Sequence, residues 1–168
     1  MNLDDKTKIE IDTAISHLEF INHLPIEKKV IALNEIRSAL HNLSPFVTEP
    51  VDYVKWVLNT DVDANDYNPN SVAPPEMELL RLSIMADGYT QPIVSNKEND
   101  RLVVIDGFHR NRVGKECVDV QQRVHGYLPI VQIRTSQAEK ADRMASTLCF
   151  PLALLWRTVE AILSAFSA

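Results

Sequence analysis

The chain reads as an α+β protein on three observations. Apolar residues recur at helical spacing through residues 4–43. From Val51 the pattern changes to short β-branched and aromatic runs separated by Pro, Gly and Asn. Finally, the aliphatic run Val103-Val104-Ile105 meets Asp106-Gly107 and continues as a polar segment with helical spacing, which is a strand–turn–helix junction.

In chain order, Ile11, Ala14, Ile15 and Leu18 mark a first helix, and Val30, Leu33, Ile36, Leu40 and Leu43 mark a second. Pro25 fits the first position of that second helix. Together they predict a helical hairpin, ended by Ser44-Pro45 and a linker through Pro50. Val51 to Leu58 predicts a strand, and Asn59 to Ser71 an Asn- and Asp-rich loop. Pro74-Pro75-Glu76 opens a helix with Met77, Leu80 and Ile84 on one face and Gly88 as its C-cap. Pro92 to Ser95 and Arg101 to Ile105 predict a hairpin around Asn96 to Asp100. The junction helix runs to about Glu116. Pro129 to Ile133 is a further strand, Gln137 to Leu148 a helix, and Leu152 to Phe166 a strongly apolar last helix.

Composition excludes several classes. With 168 residues, 45% of them hydrophobic and 24% charged, the chain is long enough to bury a core and has the profile of an ordinary globular protein. A net charge of −6 argues against general electrostatic binding to nucleic acid, so DNA contact needs a local basic patch. His109 to Lys115 is the dense candidate. Cys117 and Cys149 form no CxxC and no metal-ligand spacing, which speaks against a disulfide scaffold or zinc site. The polar start, Met1 to Glu10, has no apolar core of a signal peptide, and no stretch of about 18 apolar residues suggests a membrane span. A cytoplasmic protein is expected, with no metal site.

The junction is where chemistry is expected. The first free backbone N–H groups of a helix point at one spot, and the helix dipole favours an anion there. Backbone N–H groups from about Phe108 to Arg110 would face it. Arg110 could bind phosphate oxygens with charge-assisted bonds. A cation in a first helical turn is disfavoured unless an anion is present, which favours that role over a solvated charge. His109 could be a second donor or a proton carrier, or could simply cap or pack. Arg112 could meet a second phosphate or form a structural ion pair, since in a helix it points away from Arg110. Asp106, read from the residues alone, forms an Asp-Gly turn or helix N-cap, which needs no function. Asn68 and Asn70 could contact a nucleotide, or only form Asx turns.

Three ordered pieces carry a family resemblance across roughly Val51 to Ser146. They are Asn68-Pro69-Asn70, Asp87-Gly88-Tyr89-Thr90-Gln91-Pro92-Ile93, and Asp106-Gly107-Phe108-His109-Arg110. In order and spacing they resemble the ParB/sulfiredoxin superfamily (the ParB N-terminal-like nuclease domain). The stretches Asn65 to Glu76 and Arg123 to Pro129 are similar to its immunoglobulin-binding regulator B (IbrB)-like subgroup, bacterial proteins associated with transcriptional regulation. The resemblance implies a small mixed sheet with surrounding helices, here preceded by the helical hairpin. It implies a turn that binds a nucleotide phosphate, so the ligand would be a nucleoside triphosphate or ADP with Mg, or a DNA phosphate backbone. Arg112 matches the last Arg of the ParB pattern Gly-x-Arg-Arg-x-Arg, with His109 in place of an Arg.

Two departures qualify what carries over. Sulfiredoxin has a nucleophilic Cys where this chain has Phe108, and a phenyl ring cannot attack a phosphoryl group. The apolar run Leu148 to Trp156 also departs from the subgroup, whose segment there is polar and rich in Arg and His; a diverged or frame-altered tail would account for it. The expected organisation is a hairpin over 1–48, a ParB/sulfiredoxin-like domain over 49–147 and an apolar helix over 148–168. That last helix could contact a protein partner, self-associate or pack on the domain.

Whether the chain is an enzyme stays open at this level. The leading expectation is a regulatory protein binding a nucleotide or nucleic-acid phosphate through Gly107, Phe108, His109, Arg110 and Arg112. The alternative is a nucleotide-dependent phosphotransferase or hydrolase similar to the superfamily's free-serine kinases, with Asp106 and His109 in acid–base or metal work. Those relatives use a Glu near the loop after the first strand, where this chain has Asp and Asn. A nuclease ranks third, because no dense carboxylate cluster supports it.

Overall fold

The computed structural model describes residues 2–64 and 74–133. They form an α+β fold in which a five-stranded mixed sheet is flanked by helices. Helix α1 spans Asp5–Ser16, and α2 spans Ile26–Leu43 after a short 3-10 turn at Glu19–His23. Strands β1 (Val54–Leu58) and β2 (Val62–Asp63) follow, then α3 (Pro74–Asp87), β3 (Ile93–Glu98) and β4 (Arg101–Asp106). Helices α4 (Phe108–Glu116) and α5 (Val118–Arg123) lead to β5 (Tyr127–Gln132). The sheet order is β1-β5-β3-β4-β2. The pairs β1/β5 and β3/β4 are antiparallel, whereas β3/β5 and β2/β4 are parallel.

The two expected N-terminal helices form, but their apolar stripes are unequally used. Asp4 caps α1 by accepting from the Thr7 backbone N–H at 3.0 Å. Yet Ile11, Ile15 and Leu18 stay exposed. Helix α2 half-buries Val30, Leu33 and Ile36 of its stripe and also docks on the sheet through polar groups. The Asn34 amide donates to the Trp56 carbonyl at 2.7 Å, and its oxygen accepts the Trp56 N–H at 3.0 Å. Asn34 thus does for edge strand β1 what a neighbouring strand would do, so the edge is covered by a helix. His41 bonds Asp52 at 2.6 Å and stacks on Tyr53, tying the end of α2 to the start of β1.

The same arrangement explains an unexpected proline. Strand β5 begins two residues earlier than the sequence pattern suggested, and Pro129 falls inside it, opposite Trp56. Proline cannot donate to a ladder. Here nothing is lost toward β1, because the polar groups of Trp56 face Asn34. Pairing of β5 with β3 starts only at Ile130.

The β3–β4 hairpin turns at Asn99-Asp100, both with positive φ (47° and 63°), the signature of a tight primed turn. The expected turn, Asn96 to Asp100, is therefore shorter, and Asn96 to Glu98 extend the strand. The strand expected from Val51 begins only at Val54, after a 3-10 turn at Pro50–Asp52, and one strand and one α-helix went unexpected. Strand β2 is only two residues long, too short to show a period. Helix α5 is six residues long and follows α4 after a single extended residue, Cys117.

The core has two parts. Val62, Ile93, Leu102, Val104, Leu128 and Ile130 fill the sheet side, with Phe108 and Tyr89 packed against them. Ile84, Val113 and Val120 join α3, α4 and α5, with Met77, Leu80 and again Tyr89 alongside. The helix face read from Met77, Leu80 and Ile84 is the one that packs. The expected helices at 137–148 and 152–166 lie outside the described residues. Among the described residues, no helix is long and apolar enough to cross a membrane.

Candidate functional site

The site is built where β4 ends. Val94 opposes Asp106 while Ser95 opposes Val104, so β4 carries a bulge around Ile105. A bulge bends its strand and increases the local twist. Asp106 ends the strand and Gly107 turns the chain into α4. Gly107 is the N-cap, with φ +89°, a conformation that favours glycine. The first α-helical bond runs from the Asn111 N–H to the Gly107 carbonyl at 2.9 Å. The N–H groups of Phe108, His109 and Arg110 precede that bond, and the glycine cap offers no side chain to accept from them. The corner therefore presents backbone donors at the positive end of the helix dipole.

Arg110 lies over this corner. A Cβ built on Gly107 would come within 3.2 Å of both Arg110 Nε and Nη2. The guanidinium thus rests on the Gly107 backbone, and its side chain is only 20% exposed. Nη1 donates to the Gln91 side-chain oxygen. Nη2 reaches Asp106 Oδ2 at 3.4 Å, a long contact, and that carboxylate is 74% exposed. Among the described residues, Nε is buried without an acceptor. A buried, unmatched charged donor costs free energy of about 1–3 kcal/mol or more until an acceptor arrives.

The other expected residues fall as follows. Phe108 is half-buried against the sheet core, so its ring anchors the first turn of α4. His109 is half-buried in the same turn. Arg112 is 60% exposed and paired in helix fashion with Glu116, its Nε lying 3.0 Å from both carboxylate oxygens. It is not brought together with Arg110. Asn68 and Asn70 lie outside the described residues. Cys117 is half-buried at the far end of α4, and burial pushes its thiol up from its ordinary range.

Tyr89 and Gln91, given no role by the sequence reading, also shape the corner. The Tyr89 hydroxyl donates to the Arg110 carbonyl at 3.0 Å, and burial raises its pKa, which keeps it protonated as a donor. Lys115 donates to the Val62 carbonyl, and Arg101 grips Asp63 through two bonds of 2.8 and 2.6 Å. Those contacts hold the edge strand β2 against α4 and β4. The Arg101 guanidinium also holds the Asp63 carboxyl below its ordinary range. The signal for Tyr89 and Gln91 was faint: two long hydrogen-bonding side chains directly after a helix-ending glycine.

Comparisons with known proteins show what the chain is similar to. No family model matches the chain. It is 44% identical over 131 residues to the uncharacterized protein YbdM of Escherichia coli strain K12, covering 77% of this chain and 61% of that protein. It is 33% identical over 81 residues to the probable chromosome-partitioning protein ParB of Borreliella burgdorferi, covering 43% of this chain and 31% of the relative. The chain thus spans about three fifths of the first relative and under a third of the second. Among solved structures, it is similar to the C-terminally truncated chromosome-partitioning protein ParB of Caulobacter crescentus complexed with CTP-γ-S. That likeness has 19% identity and a TM-score of 0.41, over 51% of this chain and 46% of the other.

Proposed function

We propose that this chain is a ParB-like cytoplasmic regulatory protein, IbrB-like and associated with transcription, whose Asp106–Arg110 corner binds a phosphate of a nucleotide or of nucleic acid. One observation carries the reading. The Arg110 guanidinium rests on an uncapped helix N-terminus, with a buried Nε that lacks an acceptor among the described residues. An anion placed there would meet backbone N–H donors, the helix dipole and a cation together. The sequence likeness to a ParB agrees with it. Gly107, Phe108, His109 and Arg110 form the corner, and Asn68 and Asn70, outside the described residues, are proposed as further contacts to the same ligand. Arg112 joins only by leaving Glu116.

A phosphotransferase reading draws on Asp106, whose exposed carboxylate is free to turn toward a cation beside bound phosphates. One titration separates the two. The purified chain is mixed with CTP, ATP, ADP or a short DNA duplex, with and without Mg²⁺, beside His109→Ala and Arg110→Ala. Binding without turnover, lost in Arg110→Ala, supports the regulatory reading. Turnover that disappears in Asp106→Ala supports the enzyme. Absence of binding to every phosphate ligand sinks both. The salt dependence of any DNA binding counts the phosphate contacts.

A further inference from the structure

Two of the five residues between α3 and β3 hold Arg110 at both of its ends. Gly88 leaves α3 with φ +78°, its N–H still bonded to the Ile84 carbonyl at 2.9 Å. The next residue, Tyr89, enters the seam between the two core clusters and touches both. Its hydroxyl donates to the main-chain carbonyl of Arg110 at 3.0 Å. That hydroxyl occupies the space a side chain at position 114 would need, and Gly114 leaves it open. Two residues further on, the Gln91 oxygen accepts from Arg110 Nη1. One short loop therefore grips the backbone and the guanidinium of the same arginine.

We infer that Tyr89 and Gln91 are positioning residues that lock Arg110 over the helix N-terminus before an anion arrives. A guanidinium is a rigid planar fork. Fixing Nη1 on one side and resting the plane on Gly107 leaves Nη2 and Nε as the donors not firmly committed. These lie at the same end of α4 as the free backbone amides. Arginine is among the side chains with the most rotamer freedom to lose, so an arginine ordered in advance loses little on binding. The inference rests on the phosphate reading above, and its test separates the two.

The experiment uses the full chain with nitrogen-labelled arginine and inorganic pyrophosphate as the probe. Arg110→Lys identifies the Arg110 Nε–Hε signal by its disappearance. In the wild type that signal is sharp and slow to exchange. In Gln91→Ala it broadens or moves, and pyrophosphate binds about 2- to 12-fold more weakly, the ordering cost of one flexible side chain. Gln91 is exposed, so this variant keeps its fold. Tyr89→Phe keeps the ring packing and loses only the hydroxyl bond; it shows a smaller change in the same direction. Gln91→Glu keeps an acceptor and restores the sharp signal, which a general loss of stability would not explain. An Arg110 signal unchanged in both Gln91→Ala and Tyr89→Phe overturns the lock. A disturbed signal with unchanged affinity overturns its role in positioning. A wild type with the sharp signal but no pyrophosphate binding overturns the phosphate reading, and the affinity half of this inference with it.

Discussion

Replacing Gly107 by alanine combines two costs that a second glycine allows to be separated. Gly107 and Gly126 both have left-handed backbones, with φ of +89° and +78°. An L side chain in that region costs roughly 1–2 kcal/mol. Part of this is offset, by about 0.4–1 kcal/mol, because alanine stiffens the unfolded chain. At Gly126 no described residue lies within 4 Å of the added Cβ, so backbone strain is the expected effect. At Gly107 the Cβ also meets Arg110 Nε and Nη2 at 3.2 Å and the Ile93 Cα at 3.3 Å. The arginine end can swing aside, but Ile93 is fully buried main chain of an interior strand. Overpacking of this kind costs about 1–3 kcal/mol more. Urea unfolding with unchanged slope should therefore show a loss of up to about 1.5 kcal/mol for Gly126→Ala and one larger by about 1–3 kcal/mol for Gly107→Ala. Pyrophosphate binding should survive the first substitution and fail in the second, since the guanidinium is displaced. Equal losses for both variants, with binding intact in Gly107→Ala, would refute the placement of Arg110 on the Gly107 backbone.

Two further outcomes follow from contacts away from the corner. Asn34→Ala leaves both main-chain polar groups of Trp56 without their partners, and it should lower the urea midpoint by the equivalent of about 1–3 kcal/mol. Asn34→Asp keeps the acceptor for the Trp56 N–H but places a carboxylate against the Trp56 carbonyl, so it should not restore stability; full recovery would contradict the surrogate-strand role. The Asp63 carboxyl has its pKa lowered, chiefly by its hydrogen bonds to Arg101. A depressed folded-state pKa contributes stability above the ordinary aspartate range, and that contribution is lost as pH falls through the lowered value. The pair is about half exposed, so the effect is small and fades in high salt. Urea midpoints at about pH 3 and about pH 6 should therefore converge slightly in Asp63→Asn relative to wild type, and an unchanged gap would count against the pairing.

Much of the fold was legible because its signals are local. The helical stripe of Met77, Leu80 and Ile84, the glycine after α3 and the two-stranded hairpin each reflect a period or a turn preference within a few residues. The strand–Gly–helix junction was legible for the same reason: an apolar run, a glycine and a polar helix are contiguous. What the pattern did not show were elements shorter than their own period. Strand β2 has two residues, and its partner in β4 lies about 40 positions away, with Arg101 and Lys115 helping to hold it there. Helix α5 is hidden by the nearness of α4. Pro129 inside strand β5 is tolerated because the polar groups of Trp56, its partner in β1, bond to Asn34 from another element.

The candidate site divides along the same line. The sequence by itself determined that a free helix N-terminus follows Gly107 and that Arg110 stands in its first turn, because both depend on neighbouring residues. It also excluded cysteine chemistry there, since Phe108 stands at that position. Tertiary structure decided where the arginine goes. Arg112 turns to Glu116 on its own helix, while Arg110 folds over Gly107 and is held by Tyr89 and Gln91 from about 20 residues upstream. Side-chain direction at a helix end depends on which partners the rest of the chain brings within about 3 Å. The corner is written in contiguous residues, and the aim of its one central cation is set by a loop that only folding brings beside it.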